Sequence, residues 1–164
     1  MIVRAAKILL VLLIGLFSLL VGVANIIDYG TNYAFVQHVM SMDTVFPTST
    51  LTWRAITSPT LYHAAYAGII AVELLTGVLC VLGALKLWNA RAYFASDFHA
   101  AKDIAVAGLV LGFALWFFGF MVVGGEWFQM WQSQTWNGQD AAFRFIGCIA
   151  FVLIFLSQKD DELA

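Results

Sequence analysis

The sequence predicts an all-α membrane protein, a bundle of four transmembrane helices with a structured cap formed by two outer loops. Two observations carry that class. The 164 residues are 62% apolar and only 11% charged, whereas a soluble domain carries about 25% charged residues. The apolar residues also collect into four long stretches, and a helix needs roughly 20 of them to cross a bilayer core. A chain of this length leaves much of its surface exposed when folded, so so much apolar content excludes a soluble core. The length fits one domain. A net charge of −2 gives no footprint for nucleic acid.

The first stretch runs from Ile8 to Ile27 without a charge. Met1 to Lys7 resembles the basic start of a signal peptide, but the apolar run exceeds the roughly 7–15 residues of a signal core, so it reads as an uncleaved first helix. The second stretch, 61–85, is interrupted by His63 and Glu73. The third, 104–123, has no charge, and the fourth, 141–156, contains Arg144. No stretch alternates with period two, which argues against a β-barrel and leaves helices to satisfy the backbone in lipid.

Arg4, Lys7, Lys86, Arg91, Lys102 and Lys159 fall on one side of this arrangement, and Arg54 and Arg144 fall toward the other. The positive-inside rule then expects both termini in the cytoplasm, with the 28–60 and 124–140 connections outside. The inner loop and tails read as short and plain. Cys80 and Cys148 both fall within helices, where a disulfide has no expected role and a small buried residue does.

The first outer connection is too long for a simple turn. Tyr33 to Met42 lacks Gly and Pro and reads as a helix ended by Pro47. Ser58 and Pro59 read as the cap and first residue of the next helix. The second outer connection carries Glu126, Trp127, Trp131, Trp136 and Asn137. Those tryptophans form either an interfacial belt or a folded cap packed on the first loop.

Several motifs in these segments are specific. They are Asn25-Ile26-Ile27-Asp28-Tyr29-Gly30, His38-Val39-Met40-Ser41-Met42-Asp43, Trp53-Arg54-Ala55-Ile56, the run from Gly124-Gly125-Glu126-Trp127 through Met130-Trp131-Gln132-Ser133, and Trp136-Asn137-Gly138-Gln139. Along the whole chain the sequence resembles a bacterial family of small integral membrane proteins defined by a domain of unknown function. The resemblance implies a multi-pass protein of the bacterial inner membrane and carries over no activity.

Within the spans, Glu73 is the sharpest residue. A mid-membrane carboxylate costs roughly 2.5–3.5 kcal/mol unless paired or protonated. Pairing with Arg144, a protonated hydrogen-bonded state, and a proton relay all remain open, and Asn25, Asp28 and Asp140 are other partners at Arg144's depth. Gly108 and Gly112 form a GxxxG pair on the third helix, and Gly15 and Gly22 share a face of the first. Small residues allow close helix packing, inside the bundle or between two copies.

On the outer side His38, Met42, Asp43 and His63 offer imidazole, thioether and carboxylate groups that suit copper. The alternative is that they hydrogen-bond the cap. No phosphate loop, HExxH or CxxC occurs. The leading expectation is a non-enzymatic accessory or self-assembling membrane subunit without a cofactor. It would contact the lipid bilayer and either a membrane protein partner or itself as a homo-oligomer, and recognise through Asp28, Tyr29, Glu126, Trp127, Trp131, Trp136 and Asn137. An oligomeric transporter or ion-conducting protein using Glu73 and Arg144 is one alternative. An outer-face copper or redox-cofactor protein is the other.

Overall fold

The computed structural model describes residues 1–162. The helices are α1 (Ile2–Ile27), α2 (Tyr29–Ser41), α3 (Pro59–Ala90), α4 (Ala95–Ala100), α5 (Asp103–Ala114) and α6 (Gln139–Ser157), with short 3₁₀ turns at Thr52–Arg54 and Met130–Gln132. From Leu115 to Trp127 the α5 axis continues as a π-helix. Four helices are long and apolar enough to cross a membrane: α1, α3, α6 and the continuous segment Ala95–Trp127.

Each span divides into two faces. In α1 the buried residues Lys7, Val11, Ile14, Ser18, Gly22 and Asn25 recur every three or four positions. Leu9, Leu13, Leu16, Leu20 and Val23 between them remain exposed. That is the stripe a membrane helix shows when one side meets protein and the other meets lipid.

Helix α3 is the central element and packs most extensively on α1 and α5. The glycines explain how. A Cβ on Gly15 would sit 3.0 Å from Cβ of Cys80, and one on Gly22 would sit 2.8 Å from Leu74. On the other side of α3, a Cβ on Gly108 would lie 2.8 Å from Sγ of Cys80, and one on Gly112 would lie 2.9 Å from Thr76. Both small-residue stripes are therefore covered by α3 within one chain, and neither is left as a face for a second copy. Gly83 makes the tightest contact with backbone, since its Cβ would approach the backbone nitrogen of Ala105 at 2.5 Å.

The cap differs from its expectation in two ways. Helix α2 starts at once after α1, across a break at Asp28 with φ −107° and ψ 59°. It stops at Ser41 because Met42 adopts the left-handed conformation, φ 54°, so Met42 rather than Pro47 ends it. Ser58 and Pro59 do begin α3, but the Ser58 side chain makes no capping hydrogen bond.

The two loops of the cap touch. Thr44 Oγ1 donates to Ser133 Oγ at 2.8 Å, the Phe46 amide donates to Gln132 Oε1 at 2.8 Å, and Ser49 Oγ donates to Gln129 Oε1 at 2.8 Å. The Ile56 amide donates to the Met40 carbonyl at 2.8 Å, satisfying a carbonyl that the end of α2 leaves free. Beneath these bonds Val36, Val39, Met40, Met42, Tyr62, Tyr66, Ile70, Phe128 and Met130 form an apolar cluster separate from the main core. Cys80 is buried as expected, whereas Cys148 is exposed on α6.

Candidate functional site

The break at Asp28 builds the most specific polar site within the spans. Ending α1 at Ile27 frees the carbonyls of its last turn, and burial makes an unpaired carbonyl costly. The Tyr66 hydroxyl of α3 donates to the Asn25 carbonyl at 3.1 Å. The same break lets Asn32, two turns on, donate through Nδ2 to Asn25 Oδ1 at 2.6 Å. Asn25 Nδ2 donates to Glu73 Oε2 at 2.8 Å. Asn25 thus spends its side-chain donor, its side-chain acceptor and its carbonyl on one network that joins α1, α2 and α3.

Glu73 is 2% exposed. Among the described residues, none of the four ion pairs includes it. Of the readings open for Glu73, pairing with Arg144 is not the one observed. Glu73 lies on the α3 face that meets α1, with its Cβ 3.4 Å from where a Cβ on Gly22 would be. Arg144 is exposed on α6, in a shallow surface depression with Met121, Gln139, Asp140 and Phe143. Ala142 and Ile146 hold the inward face of α6, which turns Arg144 outward. No ion pair joins it to Asp28 or Asp140 among the described residues. An arginine near a helix end is well placed to carry its charge to the interface.

A cavity of about 270 Å³ opens beside the network and is lined by Asn25, Asn32, Tyr66, Glu73, Trp116 and Phe145, among others. A second cavity, also about 270 Å³, is lined by apolar groups that include Val39, Met40, Ala65, Leu115 and Met130. Phe35, Val36, Ile69 and Phe120 line both, so the two are lobes on either side of a shared aromatic and aliphatic wall. The π-helical segment supplies Trp116 and Phe120 to the first lobe and Leu115, Gly119, Val123 and Gly124 to the second. Its wider turn is shown where the Phe128 amide reaches back five residues to the Val123 carbonyl, at 3.0 Å. Such segments are rare and recur at functional sites.

The candidate metal residues do not assemble. His38 Nδ1 lies 2.7 Å from Asp43 Oδ2, and its ring stacks on Trp136 at 4.4 Å. Met42 is buried in the apolar cluster of the cap. His63 instead bonds the Tyr29 hydroxyl at 2.9 Å and stacks on Tyr33 at 4.3 Å. Among the described residues no three His, Cys, Asp or Glu side chains converge. The cap-recognition residues divide likewise. Tyr29, Trp136 and Asn137 serve the cap's own structure, Asn137 Oδ1 accepting from the Gln139 amide at 3.1 Å, and Asp28 accepts from Thr31 Oγ1 at 2.9 Å. Glu126, Trp127 and Trp131 remain exposed. The Arg54 guanidinium lies 4.6 Å from the Trp127 ring.

Tyr66, Asn32 and Trp116 were not singled out from the sequence. The Asn25–Asn32 spacing of two helical turns was the one signal available, and the break at Asp28 makes it structural.

A family model described as predicted small integral membrane protein matches residues 3–159. The chain belongs to that family. It is therefore an integral membrane protein, and its lipid-facing side chains contact the bilayer. No curated protein and no solved structure matches the chain at a significant level.

Proposed function

We propose that this chain is a non-enzymatic membrane subunit that holds one amphipathic small molecule in its cap-side half. The polar head lies against Glu73 and Asn25, and the apolar body fills the lobe formed by Val39, Met40 and Met130. The observation that carries this reading is the adjacency of the two lobes across the side chains of Phe35, Val36, Ile69 and Phe120, one lobe with a buried carboxylate and one almost purely apolar. Together they reach the size range of small-molecule sites, on the order of 300–1,000 Å³ with a few placed polar groups.

The head is a hydrogen-bond donor, and a protonated amine fits best. Asn25 already donates to Glu73, so what the carboxylate lacks is positive charge, and an unpaired charge in this setting is costly. Embedding in a bacterial inner membrane with both termini cytoplasmic belongs to the same reading, supported by the six basic residues on the side of the termini.

Native mass spectrometry of the protein, drawn into nanodiscs directly from its source membrane, tests the proposal. A bound small molecule is expected, lost from Glu73→Gln and from Ala65→Phe, which fills the apolar lobe. Both variants should keep their helical circular dichroism. A protein without bound mass, or two folded variants that retain it, overturns the assignment.

A further inference from the structure

At the end of the helices opposite the cap, three cations are withdrawn from water. Arg4 is 2% exposed, Lys7 1% and Lys102 4%. Lys86 shows the ordinary alternative, an exposed ion pair with Asp103 at 2.6 Å. Lysines near helix ends normally reach out to water, so the burial of the other three needs a reason.

All three converge on the segment after α6. Lys7 Nζ and Lys102 Nζ each take one oxygen of Asp160, at 2.9 and 2.6 Å. Both also donate to the Gln158 carbonyl, at 2.7 and 2.8 Å. Arg4 donates to the carbonyls of Asp161, Arg91 and Tyr93 at 2.9, 3.1 and 2.7 Å. The Phe98 ring lies under Arg4 and Lys102, at 5.0 and 5.7 Å.

The charges do not balance. Among the described residues one buried carboxylate faces three buried cations, and the other acceptors are neutral carbonyls and the His99 ring, whose Nδ1 lies 3.4 Å from Lys102 Nζ. Among the described residues Arg4 Nε has no hydrogen-bond partner, although the side chain lines a concavity of about 310 Å³ between the start of α1 and the segment 159–162. Glu162 is not in the cluster, because its carboxylate accepts from the Ala95 amide at 3.0 Å. A purely structural clamp has no use for uncompensated buried charge, whereas an anion site does.

Depth identifies the anion. Lys7 is the last charge before the uncharged run Ile8–Ile27, and Lys102 and Asp103 directly precede the uncharged part of α5. The cluster therefore sits where the apolar spans begin, at the level of lipid phosphates. Basic pockets between spans at that level bind anionic headgroups. A phosphodiester has two anionic oxygens, which can replace the two oxygens that Asp160 gives to Lys7 and Lys102, and it supplies the full charge that the carbonyls lack.

We propose that Arg4, Lys7 and Lys102 form a binding site for the phosphodiester of an anionic phospholipid, and that residues 158–162 occupy it as a displaceable internal plug. The site lies at the other end of the molecule from the amphiphile cavity and is independent of it.

The test uses the full chain in nanodiscs of phosphatidylcholine, with or without one-third phosphatidylglycerol, and in phosphatidylcholine with millimolar inorganic phosphate. A spin label at Lys159→Cys, in a Cys148→Ala background, reports the plug. Its motion is expected to increase several-fold with phosphatidylglycerol and to stay slow in the other two conditions. Native mass spectrometry should show phosphatidylglycerol retained over phosphatidylcholine, more so in Asp160→Asn and less in the double variant Lys7→Gln/Lys102→Gln. Asp160→Asn should unfold early in phosphatidylcholine and recover with phosphatidylglycerol. Equal label motion in the two lipids together with no selective retention overturns the site. An equal response to inorganic phosphate alone overturns its assignment to lipid.

Discussion

The two ends of this protein solve the same problem with opposite chemistry. At the cap end, loops and helix termini are closed with neutral hydrogen bonds and stacked rings: Thr44 to Ser133, Ser49 to Gln129, His38 on Trp136. At the end carrying the termini, closure rests on buried ions, with Asp160 between Lys7 and Lys102 and Arg4 against backbone carbonyls. The aromatic cap looks specialised in the sequence and the basic end looks routine. The structure reverses much of that ranking, because burial decides how much a charge matters. A neutral bond can be lost at the cost of one group's hydration, whereas a buried ion that loses its partner carries its whole desolvation penalty.

The largest expected effect breaks the ion cluster. Asp160→Ala should lower unfolding stability in neutral lipid by about 3–5 kcal/mol, the range for stripping a partner from a buried charge. Asp43→Ala removes the partly exposed partner of His38 at the cap and should cost less than about 1 kcal/mol. Thermal unfolding of both variants in phosphatidylcholine nanodiscs measures the contrast, and equal losses would abolish it.

Gly83→Ala sharpens the comparison by moving one end only. Its new methyl meets the Ala105 backbone, which cannot turn aside as a side chain can, so about 1–3 kcal/mol should be lost through overpacking. Hydrogen exchange should rise in α5 and around residues 95–105 while the cap stays protected. Gly147→Ala is the control, since nothing lies within 4 Å of its added Cβ, and it should be neutral or slightly stabilising.

Acid gives the smallest and most gradual effect. Burial pushes the Asp160 carboxyl up, but hydrogen bonds from Lys102 and Lys7 and the charge of both more than offset it, so the net shift is downward. A carboxylate held below its unfolded value contributes stability above that value, about 3.9, and loses it as pH falls through the lower folded value. The label at position 159 should therefore stay immobile in neutral lipid down to about pH 4 and loosen only below it. Loosening at pH 5 or 6 would mean that Asp160 is not held by the lysines as the structure shows.

Much of the architecture was legible in the sequence because lipid is an undemanding solvent to predict. The four spans were found near their true places, with ends moved by several residues where polar side chains continue a helix, as at Lys86 to Ala90 of α3. The glycine stripes were also legible, although not their common partner α3. The site was legible in part. Asn25 and Glu73 stood out as polar groups in apolar surroundings, but whether Glu73 meets Arg144 was left open. Which face of α6 turns inward is set by Ala142, Ile146 and Ile149, and that face excludes Arg144. The π-helical segment left no mark, since Leu115–Trp127 reads as a plain apolar helix.

The sequence by itself determined that this chain lives in a membrane, which helices are long and apolar enough to cross it and where its small residues demand close packing. Those properties depend on length, polarity and residue size, which are local. Tertiary structure alone decided the polar contacts. Asn25 meets Glu73 across 48 residues and Lys7 meets Asp160 across 153. A single polar atom carries no periodic signature, and its partner is fixed only when whole helices have chosen the faces they bury.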